Sequence, residues 1–233
     1  MATLTKTLET LYQAHDRYQV LKDWFKLTAI SINNRTDLIH DQRWDKYEQE
    51  YLDTIKKYTK EEIDVFTKAT AQLTLIIKNA VEEGKYQDWL GDLYMRSCTQ
   101  SEEKAQFFTP YSVGKMMADL NIKPDLEELK KQDIITFNDP CVGGGCLPIA
   151  YCAALIENKI NYTAKSIVFA EDNDERCFYM TYIQLSLLGC PAVIQLKDTL
   201  LNKNLGMTWH TPALKLQWLR FRNHIPKPLR ATQ

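Results

Sequence analysis

Three consecutive glycines, Gly143–Gly145, lie between a predicted strand and a predicted helix and constrain the fold more than any other part of the chain. The β-branched run 134–137 before them is typical of a buried strand, and the apolar run 147–155 after them is typical of a helix. Glycines adopt positive φ and have no Cβ, so the backbone can approach a ligand closely. The first turn of the following helix presents N–H groups without intrahelical partners. The segment predicts either a ligand cradle or a plain tight turn between strand and helix.

The residues before the glycines favour the ligand cradle. Asp139 and Pro140 complete the pattern Asp-Pro-x-x-Gly-x-Gly after a first strand. This pattern resembles the S-adenosylmethionine loop of adenine-specific DNA methyltransferases, a family that includes type I modification subunits and short phage- or plasmid-borne N-6 DNA methylases. The resemblance implies that Asp139 faces the methionine end of the cofactor and that Gly143, Gly144 and Gly145 allow its close approach. A dinucleotide-binding loop would require G-x-G-x-x-G, whose last position is proline here.

A second segment upstream of the glycines carries the same resemblance. The run 106–110 reads Gln-Phe-Phe-Thr-Pro and is similar, residue for residue, to a signature of the methyltransferase family. The resemblance implies that this segment forms the other wall of the cofactor pocket, with Phe108 against the methionine moiety and Thr109 near its carboxylate. Thr109 followed by Pro110 is also a helix-start pattern, with the proline at the first helical position.

Carboxylates follow the second predicted strand, 166–170. At the carboxyl end of a strand in a doubly wound sheet, a carboxylate can accept hydrogen bonds from both hydroxyls of a ribose. Comparison with the family pattern selects Asp172 for this role, with Glu171 as the alternative. Asp174 is predicted to cap the next helix instead, because carboxylates are favoured at helix N-termini.

The third predicted strand, 192–196, is followed by Asp198. The segment is similar to the Gly-Asp-x-Leu motif of the family, with a lysine in place of the glycine. The resemblance implies that Asp198 accepts a hydrogen bond from the amino group of the cofactor adenine. A fourth strand is predicted at 213–216, and the likeness to the family extends from about residue 86 to residue 213.

The N-terminal part of the chain has helical periodicity, no proline and few glycines. Residues 1–100 are therefore predicted to form an all-helical N-terminal domain, whose apolar stripes pack against each other or form a groove for a partner. Residues 33–37 are predicted to form a loop, and Thr59 with Glu62 a capping box. Residues 101–233 are predicted to form a Rossmann-like α/β S-adenosylmethionine-dependent methyltransferase domain with a basic C-terminal tail.

The net charge of −1 excludes a general electrostatic match to nucleic acid, but the C-terminal tail differs from the rest. No acidic residue follows Asp198, and basic residues alternate there with Trp209, Trp218 and Phe221. This pattern predicts a segment that contacts DNA phosphates and stacks on bases. The alternative is a solvated end whose aromatic rings pack on the domain.

Other features of the sequence address location and metals. No apolar run approaches the roughly 18 residues of a membrane span, and the N-terminus lacks the apolar segment of a signal peptide, so we expect a cytoplasmic protein without a membrane partner. The cysteines form no C-x-x-C pair and are predicted to be reduced thiols, mostly buried. A zinc site from Cys141, Cys146 and a distant histidine is the minor alternative, and we assign no metal.

One element of the family is missing from the sequence. The family holds the flipped adenine with Asp, Asn or Ser followed by Pro-Pro and an aromatic residue, and this chain contains no Pro-Pro pair. Three functions therefore stay open. The chain is a DNA adenine N6-methyltransferase, or a catalytically deficient cofactor- or DNA-binding subunit that supports a partner methylase or a homo-oligomer, or a methyltransferase of a non-DNA substrate.

Overall fold

The N-terminal part of the chain is built from amphipathic helices, as their periodicity predicts. The computed structural model describes residues 1–37, 40–98 and 108–230. The predicted capping box is confirmed at the start of the fourth helix, where Thr59 and Glu62 each bond to the other's backbone N–H. The helices of this part are α1 (Ala2–Glu9), α2 (Arg17–Thr36), α3 (Gln42–Ile55), α4 (Lys60–Glu82) and α5 (Trp89–Cys98).

The loop predicted at 33–37 is wrong, because α2 continues to Thr36. Asparagine is a poor helix former, but Asn33 and Asn34 are buried here and have tertiary partners. The Asn34 amide donates to Glu48 Oε2 at 3.0 Å, and Asn33 Oδ1 accepts from Lys215 Nζ at 3.1 Å. These contacts with distant residues outweigh the local preference for a turn.

The second part of the chain alternates helices with strands. The three strands predicted near 134, 166 and 192 are confirmed, each extending to the acidic residue that follows it. The elements are α6 (Tyr111–Ile122), α7 (Leu126–Lys131), β1 (Ile135–Asp139), α8 (Cys146–Glu157), α9 (Tyr162–Lys165), β2 (Ser166–Asp172), α10 (Glu175–Leu187), β3 (Ala192–Asp198), β4 (Lys203–His210), α11 (Pro212–Leu216), α12 (Trp218–Phe221), a 3₁₀ turn (Arg222–His224) and α13 (Lys227–Arg230).

The four strands of the described sheet have the order β1-β2-β3-β4. β1, β2 and β3 are parallel, and β4 is antiparallel to β3 with a bulge at Leu196/Lys197. The fourth strand predicted at 213–216 is wrong. The strand precedes it at Lys203–His210, and proline at the first turn of Pro212–Leu216 starts a helix there instead.

Most of the helices share one core of buried apolar side chains with the sheet, and a smaller cluster packs α11 and α12 against β2 and β3. α10 packs against α2, and Trp209 of β4 contacts Tyr47 of α3 with ring centroids 4.9 Å apart. The division of the chain into domains at residue 100 stays a prediction. Within the described ranges, no helix has both the length and the apolar character needed to cross a membrane.

Candidate functional site

The glycine turn connects the end of β1 to the start of α8. Gly143 and Gly145 have φ of 56° and 105°, in the left-handed region where a side chain is strained. Gly144 is required for a different reason. A Cβ at this position would lie 2.8 Å from Asp88 Oδ2 and 3.1 Å from the Cα of Gly91. The backbone conformation and the close approach of α5 therefore both demand glycine in this turn.

Asp139, the last residue of β1, has a buried carboxylate oxygen without a partner. The residue is 6% exposed, and its Oδ1 accepts from the backbone N–H of Cys141 at 3.1 Å. Its Oδ2 is buried and has no hydrogen-bond partner among the described residues. Burial, and the nearby carboxylate of Asp172, raise the pKa of Asp139. A buried acceptor left unsatisfied is unfavourable, and a ligand that brings an N–H or ammonium group would satisfy it.

Asp172 joins the end of β2 to the glycine turn. Its Oδ2 accepts from the N–H of Gly143, and its Oδ1 accepts from the N–H of Asp174, both at 2.9 Å. Burial raises the pKa of Asp172. Each carboxylate oxygen can accept more than one hydrogen bond, so Asp172 keeps acceptor capacity. The structure thus brings Asp139, the glycines and Asp172 together at the carboxyl ends of adjacent parallel strands.

The carboxylate of Glu171 contacts two residues from the end of β3. Lys197 Nζ lies 2.9 Å from Glu171 Oε1, and both side chains are largely buried. The hydroxyl of Thr199 lies 2.8 Å from Glu171 Oε2 and 2.9 Å from the carbonyl of Pro140. Glu171 therefore ties the segment after β3 to the ends of β1 and β2. The lysine that replaces the family glycine at position 197 is one half of this ion pair.

The described part of the Phe-Phe-Thr-Pro segment borders the glycine turn. Phe108 is half-buried, and its Cδ1 would lie 3.1 Å from a Cβ at Gly143. Thr109 and Pro110 are exposed. The predicted helix start is wrong by one residue, because Pro110 has an extended ψ of 137° and α6 begins at Tyr111. Residues 106 and 107 of the motif lie outside the described residues.

Asp198 lies at the end of β3, beside a cavity. Its Oδ1 accepts from the N–H of Leu201 at 3.0 Å and closes the turn toward β4. The cavity has a volume of about 530 Å³, and it is also lined by Asn173 after β2 and by Tyr18 and Lys22 of α2. A helix of the N-terminal part therefore contributes to the surface around Asp198.

Asp174 has the capping role that the sequence predicts. Its Oδ1 accepts from the N–H of Arg176 at 2.8 Å at the start of α10. The guanidinium of Arg176 forms an ion pair with Asp174 and a hydrogen bond with the hydroxyl of Tyr94. It also lies over the rings of Tyr18 and Tyr94, at 4.9 and 5.4 Å from their centroids. This cluster fixes α2, α5 and α10 against one another.

The polar residues that bond to the glycine turn on the side of α5 and α10 belong to none of the motifs identified in the sequence. Gln184 Nε2 donates to the carbonyl of Gly144 at 2.6 Å and to Asp88 Oδ1 at 2.8 Å. Gln184 Oε1 accepts from the N–H of Leu90, and Thr181 Oγ1 donates to the carbonyl of Gly143 at 3.0 Å. The available signal was the spacing of Thr181 and Gln184, which places two polar residues on one face of an otherwise apolar helix.

Asp88 is the acidic member of this network. It is 3% exposed, and its Oδ1 also accepts from the N–H of Gly91 at 2.8 Å. Burial raises the pKa of Asp88 to about 6, against the opposing effect of its hydrogen bonds from Gln184 and Gly91. The bond to Gly91 is a local helix-capping contact at the start of α5, but no local pattern marks the contact of Asp88 with Gln184, which lies on a distant helix.

The base-stacking role considered for the C-terminal aromatic residues is wrong for Trp209 and Phe221. Both rings are buried, at 3% and 0% exposure. Trp209 packs against Phe178 with centroids 5.1 Å apart, while Trp218 stacks on His210 at 5.6 Å. These rings pack within the protein because burying their apolar surface is more favourable than exposing it to water.

The basic residues of the same segment divide into two groups. Lys215 is partly buried, and its ammonium lies 3.3 Å from the carbonyl of Asn33 and 3.3 Å from Thr36 Oγ1. Burial lowers the pKa of Lys215 to about 8. The remaining described basic side chains are exposed and keep the segment positive: Lys203, Arg220, Arg222 and Lys227.

A known protein family matches more than half of the chain. The family model described as N-6 DNA Methylase matches residues 85–213, which include every site residue discussed above from Asp88 to Asp198. No curated protein matches the chain. A solved structure, the type I restriction-modification system methyltransferase subunit from Streptococcus thermophilus, is 15% identical, with a TM-score of 0.37. The match covers 82% of this chain and 56% of that subunit, so the chain spans little more than half of its length.

Proposed function

Because the chain belongs to the N-6 DNA methylase family, we propose that it binds S-adenosylmethionine and takes part in the N6-methylation of adenine in DNA. The family resemblance of the Asp-Pro and Phe-Phe-Thr-Pro segments is confirmed at this level. The observation that carries the cofactor proposal is the buried, unpartnered Oδ2 of Asp139 beside the glycine turn. An ammonium group, such as that of the methionine moiety, would satisfy this oxygen.

The glycine turn and Phe108 would enclose the methionine end of the cofactor. Gly143 leaves room beside the ring of Phe108, which a side chain would fill. The exposed Thr109 and Pro110 continue the same wall, and Pro140 begins the turn on the other side. The residues present therefore fit the methionine moiety in charge, through Asp139, and in space, through the glycines.

Carboxylates at the ends of β2 and β3 would hold the nucleoside end. Asp172 has acceptor capacity beyond its two backbone hydrogen bonds and is the proposed ligand of the ribose hydroxyls. Glu171 is less suited, because its carboxylate is already paired with Lys197. Asp198 is the proposed acceptor for the adenine amino group. This placement at the carboxyl ends of parallel strands corresponds to a Rossmann-like domain, which we propose for residues 101–233, preceded by a helical domain of residues 1–100.

The protein's contribution to catalysis would consist of positioning. The bound cofactor supplies an electrophilic methyl group, and the chain's residues hold it at a fixed place for the approaching amine. Asp139 would orient the methionine moiety in its ionised form. The turn is held rigid by Thr181 and Gln184, so little reorganisation would accompany the reaction.

A second candidate function is a subunit that binds cofactor or DNA but requires a partner methylase for transfer. The sequence has no Pro-Pro motif to hold the flipped base, which favours this candidate. The exposed cations of the C-terminal segment, together with the partner, would contact DNA phosphates. Methyl transfer to duplex DNA by the purified chain alone would decide against this candidate.

Calorimetric titration with S-adenosylmethionine tests the cofactor proposal. We expect micromolar binding by the parent protein and a loss of roughly tenfold or more in Asp139→Asn, since a charge-assisted hydrogen bond contributes ~1.5–3 kcal/mol. Asp133→Asn is the matched control, because Asp133 is exposed and outside the site. Absence of binding at millimolar cofactor, or equal affinity in Asp139→Asn, would contradict the proposal.

A further inference from the structure

β1 is an edge strand with no strand on its outer side in the part of the chain that the structure describes. In the described sheet, β1 pairs with β2 and with no other strand. An edge strand presents a row of unpaired N–H and C=O groups, and proteins usually protect such edges with lysine, proline or a bulge. The strand sequence Ile-Thr-Phe-Asn-Asp contains neither lysine nor proline, and it pairs with β2 in regular register. Nothing in the sequence of β1 prevents another strand from pairing with it.

A groove follows this open edge. It has a volume of about 450 Å³, and all six residues from Ile135 to Pro140 line it. Side chains of a strand alternate between the two faces, so six consecutive lining residues mean that the main chain itself forms one wall. The other walls carry mainly apolar side chains, among them Met117, Leu129, Leu147 and Tyr151.

The helix that borders the groove has an exposed apolar stripe. Val113, Met117 and Leu120 share one face of α6 and are 40%, 41% and 66% exposed, and the adjacent Met116 is 56% exposed. Large apolar side chains grouped next to a groove are typical of surfaces that bind another polypeptide.

The charge of the groove restricts what can bind there. Among the described residues, its lining contains no lysine or arginine, and its single charged side chain is Asp139, at the carboxyl end of the strand. A nucleic acid backbone would meet no cation in the groove and would be repelled by this carboxylate. The complementary ligand has main-chain hydrogen-bonding groups, apolar side chains and, near Asp139, no negative charge.

We propose that the open edge of β1 receives an extended segment of a different polypeptide, which pairs with β1 as a fifth strand and packs apolar side chains into the groove that β1, α6 and α8 form. This inference rests on the proposed function and deepens it, because the groove ends at Asp139 and the added strand would bring partner residues beside the cofactor site. A second copy of this chain is a poorer occupant. The exposed side chains of β1 are Thr136 and Asn138, and the exposed half of β4 carries Lys203 and Asn204 with a single apolar residue, Leu205, so each edge of a second copy offers mainly polar groups to the apolar groove.

The test uses a defined peptide as the probe. Acetyl-Lys-Ile-Thr-Ile-Thr-Ile-Lys-amide can form a strand with one apolar face, and its fully N-methylated analogue keeps the side chains without main-chain donors. Hydrogen exchange of those amides of residues 135–139 that point away from β2 reports pairing, and we expect the parent peptide to slow it at least tenfold. The N-methylated analogue should leave the exchange unchanged.

Two matched variants locate the binding surface. Met117→Glu places a charge on the groove wall at a partly exposed position and should abolish the protection of β1 by the peptide. Leu75→Glu changes an exposed apolar residue of α4 outside the groove, so it should behave like the parent. If both variants lost the protection of β1 equally, or if the N-methylated analogue bound as well as the parent peptide, the proposal would be overturned.

The remaining outcomes separate this inference from the proposed function. If millimolar peptide leaves β1 unprotected while calorimetry shows cofactor binding, the strand-docking inference fails alone. If the peptide protects β1 while S-adenosylmethionine does not bind, the proposed function fails alone. Protection of β1 without peptide, together with a dimer in sedimentation, would identify a second copy as the occupant and overturn the choice of a different polypeptide.

Discussion

The two sides of the glycine turn differ in how their buried polar groups are satisfied. On the side of α5 and α10, Gln184 uses its amide to bond Asp88, Gly144 and Leu90. On the side of β1 and β2, Asp139 is buried to a similar degree, but its Oδ2 has no partner among the described residues. A network whose buried polar groups are all hydrogen-bonded stabilises one conformation, whereas a buried acceptor without a partner can bind a ligand that brings a donor. Gln184 and Asp88 therefore stabilise the conformation of the turn, whereas Asp139 is the residue proposed to bind the ligand.

Gly144→Ala should produce the largest loss of stability, because it changes the hydrogen-bonded side of the turn, next to α5. The added methyl would lie 3.1 Å from the backbone of Gly91, which cannot move without displacing α5. We expect a loss of about 3 kcal/mol or more in the free energy of unfolding, measured by urea denaturation. Gly84→Ala is the control: its φ of 69° is strained, but nothing lies within 4 Å of the added methyl. Equal losses in the two variants would show that contact with α5 does not matter.

The pH dependence of stability should report Asp88. Its pKa is raised to about 6 in the folded protein, from 3.8 in the unfolded chain, so between these values the folded state binds more protons. Stability from this group is therefore present at low pH and is lost as the pH rises through about 6. Because one pKa unit corresponds to about 1.4 kcal/mol, the difference in unfolding free energy between Asp88→Asn and the parent should change by about 2–3 kcal/mol from pH 4 to pH 7.

Exposed carboxylates provide the control for this pH profile. Asp133→Asn alters an exposed side chain and should give a curve parallel to that of the parent. If the curves of stability against pH were parallel for Asp88→Asn and the parent, the raised pKa of Asp88 would be contradicted. Asp92 and Cys146 lie close enough to interact with Asp88 and are unchanged in this comparison, so the difference isolates Asp88.

Gln184→Leu should lower stability by an intermediate amount. The substitution keeps the approximate volume but leaves the carbonyl of Gly144 and the N–H of Leu90 without this partner. We expect a loss of about 2 kcal/mol, from the cost of unsatisfied buried groups. Gln195→Leu is the matched control, because Gln195 is also buried but makes only a side-chain hydrogen bond of 3.2 Å to Thr208. A larger loss in the control would refute the role given to Gln184.

Asp139→Asn should have the smallest effect on stability and the opposite sign. Its carboxylate is buried with a single hydrogen bond, from Cys141, and burial raises its pKa, so removing the charge should stabilise the protein by up to about 1 kcal/mol at pH 7. The same variant should lose affinity for S-adenosylmethionine. Destabilisation of Asp139→Asn comparable to that of Gln184→Leu would show that the two sides of the turn do not differ.

Features decided by neighbouring residues were predictable from the sequence. The strand–turn–helix at residues 134–155, the capping box at Thr59 and the cap at Asp174 all follow from short patterns, and the structure confirms them. β4 was not predictable in this way. Its first half, from Lys203 to Gly206, is exposed and has no alternation of apolar residues, and it becomes a strand because β3 pairs with it.

The candidate site was predictable in part. The glycines, Asp139 and Asp172 were identified from a motif. In the structure Asp172 accepts from the N–H of Gly143, and Asp139 accepts from the N–H of Cys141 in the same turn. Their roles toward a cofactor stay predictions, as do those of Phe108, Thr109, Pro110 and Asp198. The contact of Asp88 with Gln184 was not predictable because the two residues are 96 positions apart, a separation that no short pattern records.

The sequence by itself determined the family, the glycine turn and the positions of the first three strands along the chain, because local residue types control turns, caps and strand propensity. Only the tertiary structure decided which polar groups are satisfied. It placed Gln184 beneath the turn, buried Trp209 and Phe221 in the core, and left the edge of β1 and one oxygen of Asp139 without partners among the described residues. These outcomes depend on contacts between distant segments, which form only when the helices and the sheet pack together.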